Sequence, residues 1–110
     1  MPGIEQLPLF DDDILQRQLT TMPRSVQLTT LRLCLVVAEE GSLLKAAGRS
    51  AIHPSALSRR IRELEQTLGE PVFQRTPGGM VPTASGEEFL IRLRRALAEL
   101  DRTLHAFDRH

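Results

Sequence analysis

Gly41, Pro54, Gly69 and Pro82 constrain this chain more than any other feature, because they cut everything after residue 28 into short segments with their own periodicity. From Thr29 to Glu40, Leu31, Cys34, Leu35 and Ala38 recur at helical spacing, with Thr29 or Thr30 as cap and Gly41 past the end. Ser42 caps a second, short helix whose Leu43, Ala46 and Ala47 face inward, and Gly48 weakens it. A tight connection through Ala51 and Ile52 leads to a third helix. Pro54 sits in its first turn, where a missing N–H costs nothing, and Gly69 stops it after Leu68. Leu57, Ile61, Leu64 and Leu68 form one stripe of this helix. Ser55, Ser58, Arg59, Arg62 and Gln66 lie opposite.

Two short extended segments follow, Val72–Arg75 and Met80–Val81, around Pro77-Gly78-Gly79, which predicts a β-hairpin that Pro82 ends. Thr83 or Ser85 caps a last helix that runs to about Phe107, with Glu87 and Glu88 at its positive end. Leu90, Leu93, Leu97, Leu100, Leu104 and Phe107 recur on it with heptad spacing. Such a stripe predicts pairing with a second copy, or packing on the chain's own core. Its regularity beyond Leu97, where little chain remains to cover it, favours pairing. The expected fold class is therefore mainly α: three helices and a small hairpin wing, a winged helix-turn-helix, followed by a long linker helix. The expected divisions are an extension over 1–28, a domain over 29–82 and the linker helix over 83–108. The extension holds Pro2, Pro8 and Pro23 and reads as an appendage or disordered arm, with a short helix conceivable from Asp11 to Leu19.

With 110 residues and 41% hydrophobic content, the chain suits one small domain, and its core must be aliphatic because Trp and Tyr are absent. No stretch approaches the ~20 apolar residues of a membrane span. Asp11, Asp12 and Asp13 stand where a signal peptide would be apolar, so the expected location is the cytoplasm. The lone Cys34 reads as a small buried hydrophobe. His53, His105 and His110 show no ligand spacing, so no metal and no cofactor is expected. No catalytic constellation is present, and an enzyme is not expected. The chain is formally neutral at pH 7, but Lys45, Arg49, Arg59, Arg60 and Arg62 fall in a run from Gly41 to Arg62 that contains no acid. Such a run is either a solvated helical face or a surface for a polyanion. The third helix favours the second reading. Its outward face is small near the N-terminus and basic further on, as suits a helix entering the major groove.

Residues from about Leu28 to Leu104 resemble the N-terminal domain of the LysR-type transcriptional regulators. The likeness is carried by Val37-Ala38-Glu39-Glu40-Gly41-Ser42-Leu43, Ala46-Ala47, and the run from Ser55 to Glu65. Leu68-Gly69, Val72-Phe73, Arg75 and Thr83-Ala84-Ser85-Gly86 extend it. The resemblance implies sequence-specific binding to a double-stranded, roughly palindromic operator by a homodimer paired through the linker helix, with a tetramer open to a full-length protein. It also implies a ligand-binding domain after that helix, so the chain is expected to be the DNA-binding portion, a natural truncation or a fragment. The expected DNA-contacting residues are Ser42, Lys45, His53, Pro54, Ser55, Ser58, Arg59, Arg62 and Arg75, although His53 reads more readily as a cap of the third helix or a turn-packing residue, and Arg75 equally as a brace of the hairpin. The expected dimerisation residues are Leu90, Leu93, Leu97, Leu100, Leu104 and Phe107. Arg60 lies nearer the buried edge, where it can pair with Glu63 or Glu65 or touch phosphate. The sequence departs from the family pattern in four places: Cys34 replaces an aromatic, Leu44 a small hydroxyl residue and His53-Pro54 a Ser- or Thr-Gln pair, and the arm over 1–28 is longer than usual. The alternative is a winged helix used only for protein–protein interaction.

Overall fold

The computed structural model describes residues 26–108. The expected arm and its helix from Asp11 to Leu19 lie outside the described residues. The elements are helices α1 (Leu28–Glu40), α2 (Leu43–Arg49) and α3 (Pro54–Leu68), strands β1 (Phe73–Thr76) and β2 (Gly79–Pro82), and helix α4 (Ala84–Asp108). This is the mainly α, winged helix-turn-helix architecture with a long following helix.

Local chemistry sets most of the boundaries. Gly41 ends α1 and Gly69 ends α3, each at positive φ with its N–H donated back to the helix, to Val37 O and Glu65 O. The Ser42 hydroxyl accepts from Lys45 N–H at 3.2 Å and starts α2. Thr83 starts α4, its hydroxyl accepting from Gly86 N–H at 2.9 Å. The start of α1 differs from expectation. Its N-cap is Gln27, which makes no side-chain capping bond, while Thr30 is buried one turn in. The turn from α2 to α3 is tight enough to hold Ala51 at φ 54, a left-handed conformation that costs a non-glycine residue about 1–2 kcal/mol.

The core is aliphatic, as the composition demands: Leu33, Val37, Leu57, Ile61, Leu64, Val72, Leu90, Leu93 and Leu97 are buried, with Cys34, Ala46, Ala47 and Phe73 among them. Two expected stripes are thereby corrected. On α1 the buried line is Thr30, Leu33, Cys34 and Val37, while Leu31, Leu35 and Ala38 are only partly covered. On α3 the stripe stops at Leu64, because Leu68 is exposed beside the Gly69 turn. Burial pushes the Cys34 thiol up to about 12, with the Glu65 charge adding to the effect. The residue therefore stays a thiol at neutral pH, with no nucleophilic role.

The hairpin is antiparallel, with Phe73 opposite Pro82 and Arg75 opposite Met80. Two close approaches fix it to the helices. Met80 N–H donates to Gly41 O at 3.0 Å, so the hairpin leans on the α1–α2 turn. Thr83 N–H donates to Val72 O at 2.9 Å, which brings the start of α4 against the start of the hairpin. Glu65 completes the joint, accepting from Val72 N–H at 2.7 Å and from Phe73 N–H at 3.1 Å. Farther along α4, Arg32 donates to Asp101 through both terminal nitrogens, at 2.8 and 3.4 Å. Hydrogen bonding to Arg32 holds the Asp101 carboxyl below its usual range.

Candidate nucleic-acid interface

Helix α3 turns Leu57, Ile61 and Leu64 inward and leaves Ser55, Arg59, Arg62 and Gln66 exposed on the other side. That division follows from helical spacing alone. Its first turn is built differently from a helix start that offers free N–H groups. Pro54 has no N–H, and Ser55 N–H donates to the His53 ring at Nδ1, 3.2 Å away. His53 is thus the N-cap of the helix, with Ser55 Oγ also 2.8 Å from Nδ1.

The hairpin brings Arg75 onto the same side. Its guanidinium donates to Ser58 Oγ at 3.3 Å. Ser58, Arg62 and Arg75 line one recess together with Leu43 and Met80. The structure therefore gathers Ser58, Arg62 and Arg75 from two elements, with Ser55, Pro54 and His53 at the helix start beyond them. Lys45 is exposed on α2, and no contact ties it to the recess. The Ser42 hydroxyl is engaged as the α2 cap.

The charge pattern differs from the one the sequence suggests. The run from Gly41 to Arg62 is free of acids along the chain but not in space. Arg49 pairs with Glu39 at 3.3 Å and with Glu40 at 3.1 Å, both across the turn at Gly41. Arg59 faces Glu63 at 3.8 Å, a pair whose side chains are 68% and 55% exposed and which is worth no more than about 1 kcal/mol. Arg60 pairs with neither Glu63 nor Glu65. It donates instead to Gln27 Oε1 at 3.1 Å and Thr30 Oγ1 at 3.3 Å, pinning α3 to the start of α1. Arg60 and Arg75 thus have neutral partners only, and among the described residues Lys45 and Arg62 have no partner. Among the described residues the positive field around α3 survives as four cations without a counter-charge: Lys45, Arg60, Arg62 and Arg75.

The expected dimerisation stripe is corrected in its first half. Leu90, Leu93 and Leu97 are buried in this chain's own core, and Leu100 is packed against it. Helix α4 lies along α1 as far as the Arg32–Asp101 pair, so these leucines have neighbours the sequence did not display. Only Leu104, 53% exposed, and Phe107, 78% exposed, remain open at the helix end. Exposed Ile91, off the stripe, was not anticipated. Arg32, Arg60 and Glu65 were also missed as joints of the site's scaffold. Their partners are distant in sequence or belong to the backbone, so no spacing signals them.

Among the described residues, no group of His, Cys, Asp and Glu could hold a metal ion, and no helix is long and apolar enough to cross a membrane.

Residues 28–87 match the family model for bacterial regulatory helix-turn-helix proteins of the lysR family. The transcriptional regulator DgdR of Burkholderia cepacia is 38% identical over 84 residues, covering 76% of this chain and 29% of that protein. The chain spans about a quarter to a third of the length of the curated relatives it matches. The BenM DNA-binding domain, solved in complex with benA site 1 DNA, superposes with a TM-score of 0.73 at 31% identity, over 76% of this chain and 98% of that one. The CbnR DNA-binding domain in its DNA complex gives a TM-score of 0.71 at 29% identity, over 76% of this chain and 95% of that one.

Proposed function

The chain belongs to the lysR family of bacterial regulatory helix-turn-helix proteins, and from that premise we propose that it is the DNA-reading portion of a transcription regulator, a non-enzymatic protein acting on double-stranded operator DNA in the cytoplasm. The observation that carries this reading is the uncovered outer face of α3, with Ser55, Ser58, Arg59 and Arg62 along it and Arg75 leaning on Ser58.

In this reading α3 enters the major groove. Ser55 and Ser58 let the helix come close, and Arg59 and Arg62 extend to base edges or phosphates. The Glu63 contact does not hold Arg59 back, since an exposed pair of this length is easily exchanged for a phosphate. Lys45 and Arg75 take phosphates on either side of the groove, and the Ser42 hydroxyl can still donate its own hydrogen to one. Pro54 positions the helix and meets at most a thymine methyl. The chain divides into an arm over 1–28, a DNA-binding domain over 29–82 and a linker helix over 83–108. Pairing of two linker helices through their ends presents two recognition helices to a roughly palindromic site. No observation favours a protein-only module, which has no use for the four cations around α3 that lack a counter-charge among the described residues.

A competition against a randomised duplex pool tests the assignment of this face. If Arg59 or Arg62 reads a base, its replacement by alanine weakens the preferred site by ~1–3 kcal/mol and relaxes preference at one position. A phosphate contact instead weakens all duplexes alike and lowers the salt slope. Identical selected sequences and affinities for the parent, Arg59→Ala and Arg62→Ala would mean that another surface meets the DNA.

A further inference from the structure

We propose that His53 is a specificity-determining residue, whose Nε2–H donates to a purine acceptor, N7 or O6, in the major groove at the start of α3. The inference rests on the DNA-binding reading above and adds to it the atom that compensates for Pro54.

The ring's protonation follows from its partners. Ser55 N–H can only donate, and it points at Nδ1 from 3.2 Å. Nδ1 is therefore an acceptor, and the neutral ring must carry its hydrogen on Nε2. Ser55 Oγ at 2.8 Å from Nδ1 reinforces the same orientation by donating its hydroxyl hydrogen. Both of the ring's hydrogen bonds are at Nδ1, so Nε2–H has no acceptor among the described residues, and the side chain is exposed.

The backbone around it has lost most of the donors a helix start usually offers. Pro54 lacks an N–H and Ser55 N–H is committed to His53, which leaves Ala56 N–H as the open backbone donor of the first turn, since Leu57 N–H makes the first helical bond, to His53 O at 3.0 Å. The ring's Nε2–H is the side-chain donor left at this end of the helix face. Held at Nδ1 by Ser55 N–H and Oγ, it is pre-oriented and loses little freedom on binding. The acceptor it fits is uncharged. A purine N7 or O6 accepts from the neutral ring and leaves the cap intact.

The test separates capping from reading. Serine is among the best N-caps but is too short to replace Nε2. His53→Ser is expected to melt with the parent, to bind the parent's selected duplex about tenfold more weakly, and to lose preference at one base pair. A 7-deazapurine placed at that position should weaken the parent by a similar factor and leave His53→Ser unchanged; the same result for a carbonyl-deleted purine would identify O6 instead. Equal affinity and equal selected sequences for His53→Ser and the parent would reduce His53 to a cap and overturn the proposal. A loss spread evenly over all duplexes would also overturn it, as the mark of a phosphate contact. If the parent binds no duplex at all, the underlying DNA-binding reading falls, and this proposal with it.

Discussion

Gly86→Ala is expected to destabilise the domain by about 3 kcal/mol or more, a large share of the roughly 5–15 kcal/mol that holds a domain together. Gly86 is buried in the first turn of α4, and a Cβ there would overlap the carbonyl oxygen of Val72. That carbonyl cannot easily withdraw. It accepts from Thr83 N–H at 2.9 Å and belongs to the segment that Glu65 holds by two further N–H groups. Making room means parting α4 from the hairpin, which opens the joint that sets the angle between linker helix and DNA-binding body. Thermal unfolding followed by circular dichroism should show a melting temperature lower by about 15 °C. Gly48→Ala is the control. A Cβ at Gly48 meets nothing within 4 Å, and the same change in a helix should stabilise by up to about 1 kcal/mol. If Gly86→Ala melts like the parent, α4 does not approach Val72 as closely as described.

The second large effect concerns assembly. Replacing both Leu104 and Phe107 with aspartate should convert a dimer to a folded monomer. Both side chains are open, so the fold should lose no more than a few tenths of a kcal/mol. Affinity for a duplex carrying two half-sites should fall about 10²–10⁴-fold, because the second half-site is no longer engaged within one complex. Affinity for a single half-site should stay near the parent's. Sedimentation of both proteins decides the matter. A parent that is monomeric at high concentration would contradict pairing through these residues. Substituting Leu97 would not make this test, because Leu97 is core and its loss would unfold the domain.

The order of elements was legible in the sequence because short-range chemistry writes it. Gly41 and Gly69 supply positive φ, Pro54 suits a first turn, and Ser42, His53 and Thr83 carry acceptors for the N–H groups that follow them. The outward face of α3 was legible for the same reason, since helical spacing fixes which side chains oppose Leu57, Ile61 and Leu64. What stayed hidden depends on long-range neighbours. A stripe of leucines looks alike whether it meets its own core or a second copy, so Leu90, Leu93 and Leu97 read as an interface until α1 was seen to cover them. The basic run looked free of acids because Glu39 and Glu40 precede Gly41, yet the turn there returns them to Arg49. The close approaches at Gly79, against Gly41 O, and at Gly86, against Val72 O, have no local signature. A glycine that the fold demands and a glycine that it merely tolerates are the same letter.

The measurement that bears most directly on DNA binding is the affinity for labelled duplex, followed by fluorescence anisotropy at rising salt. Among the described residues Lys45, Arg62 and Arg75 have no counter-charge, so DNA phosphates should become their partners and release condensed counterions. The logarithm of the affinity should then fall linearly with the logarithm of salt, with a slope near −0.9 per phosphate neutralised. Lys45→Ala and Arg75→Ala should each reduce that slope by about one. No binding at low salt, or an affinity that salt does not change, would contradict the assignment of this surface to DNA.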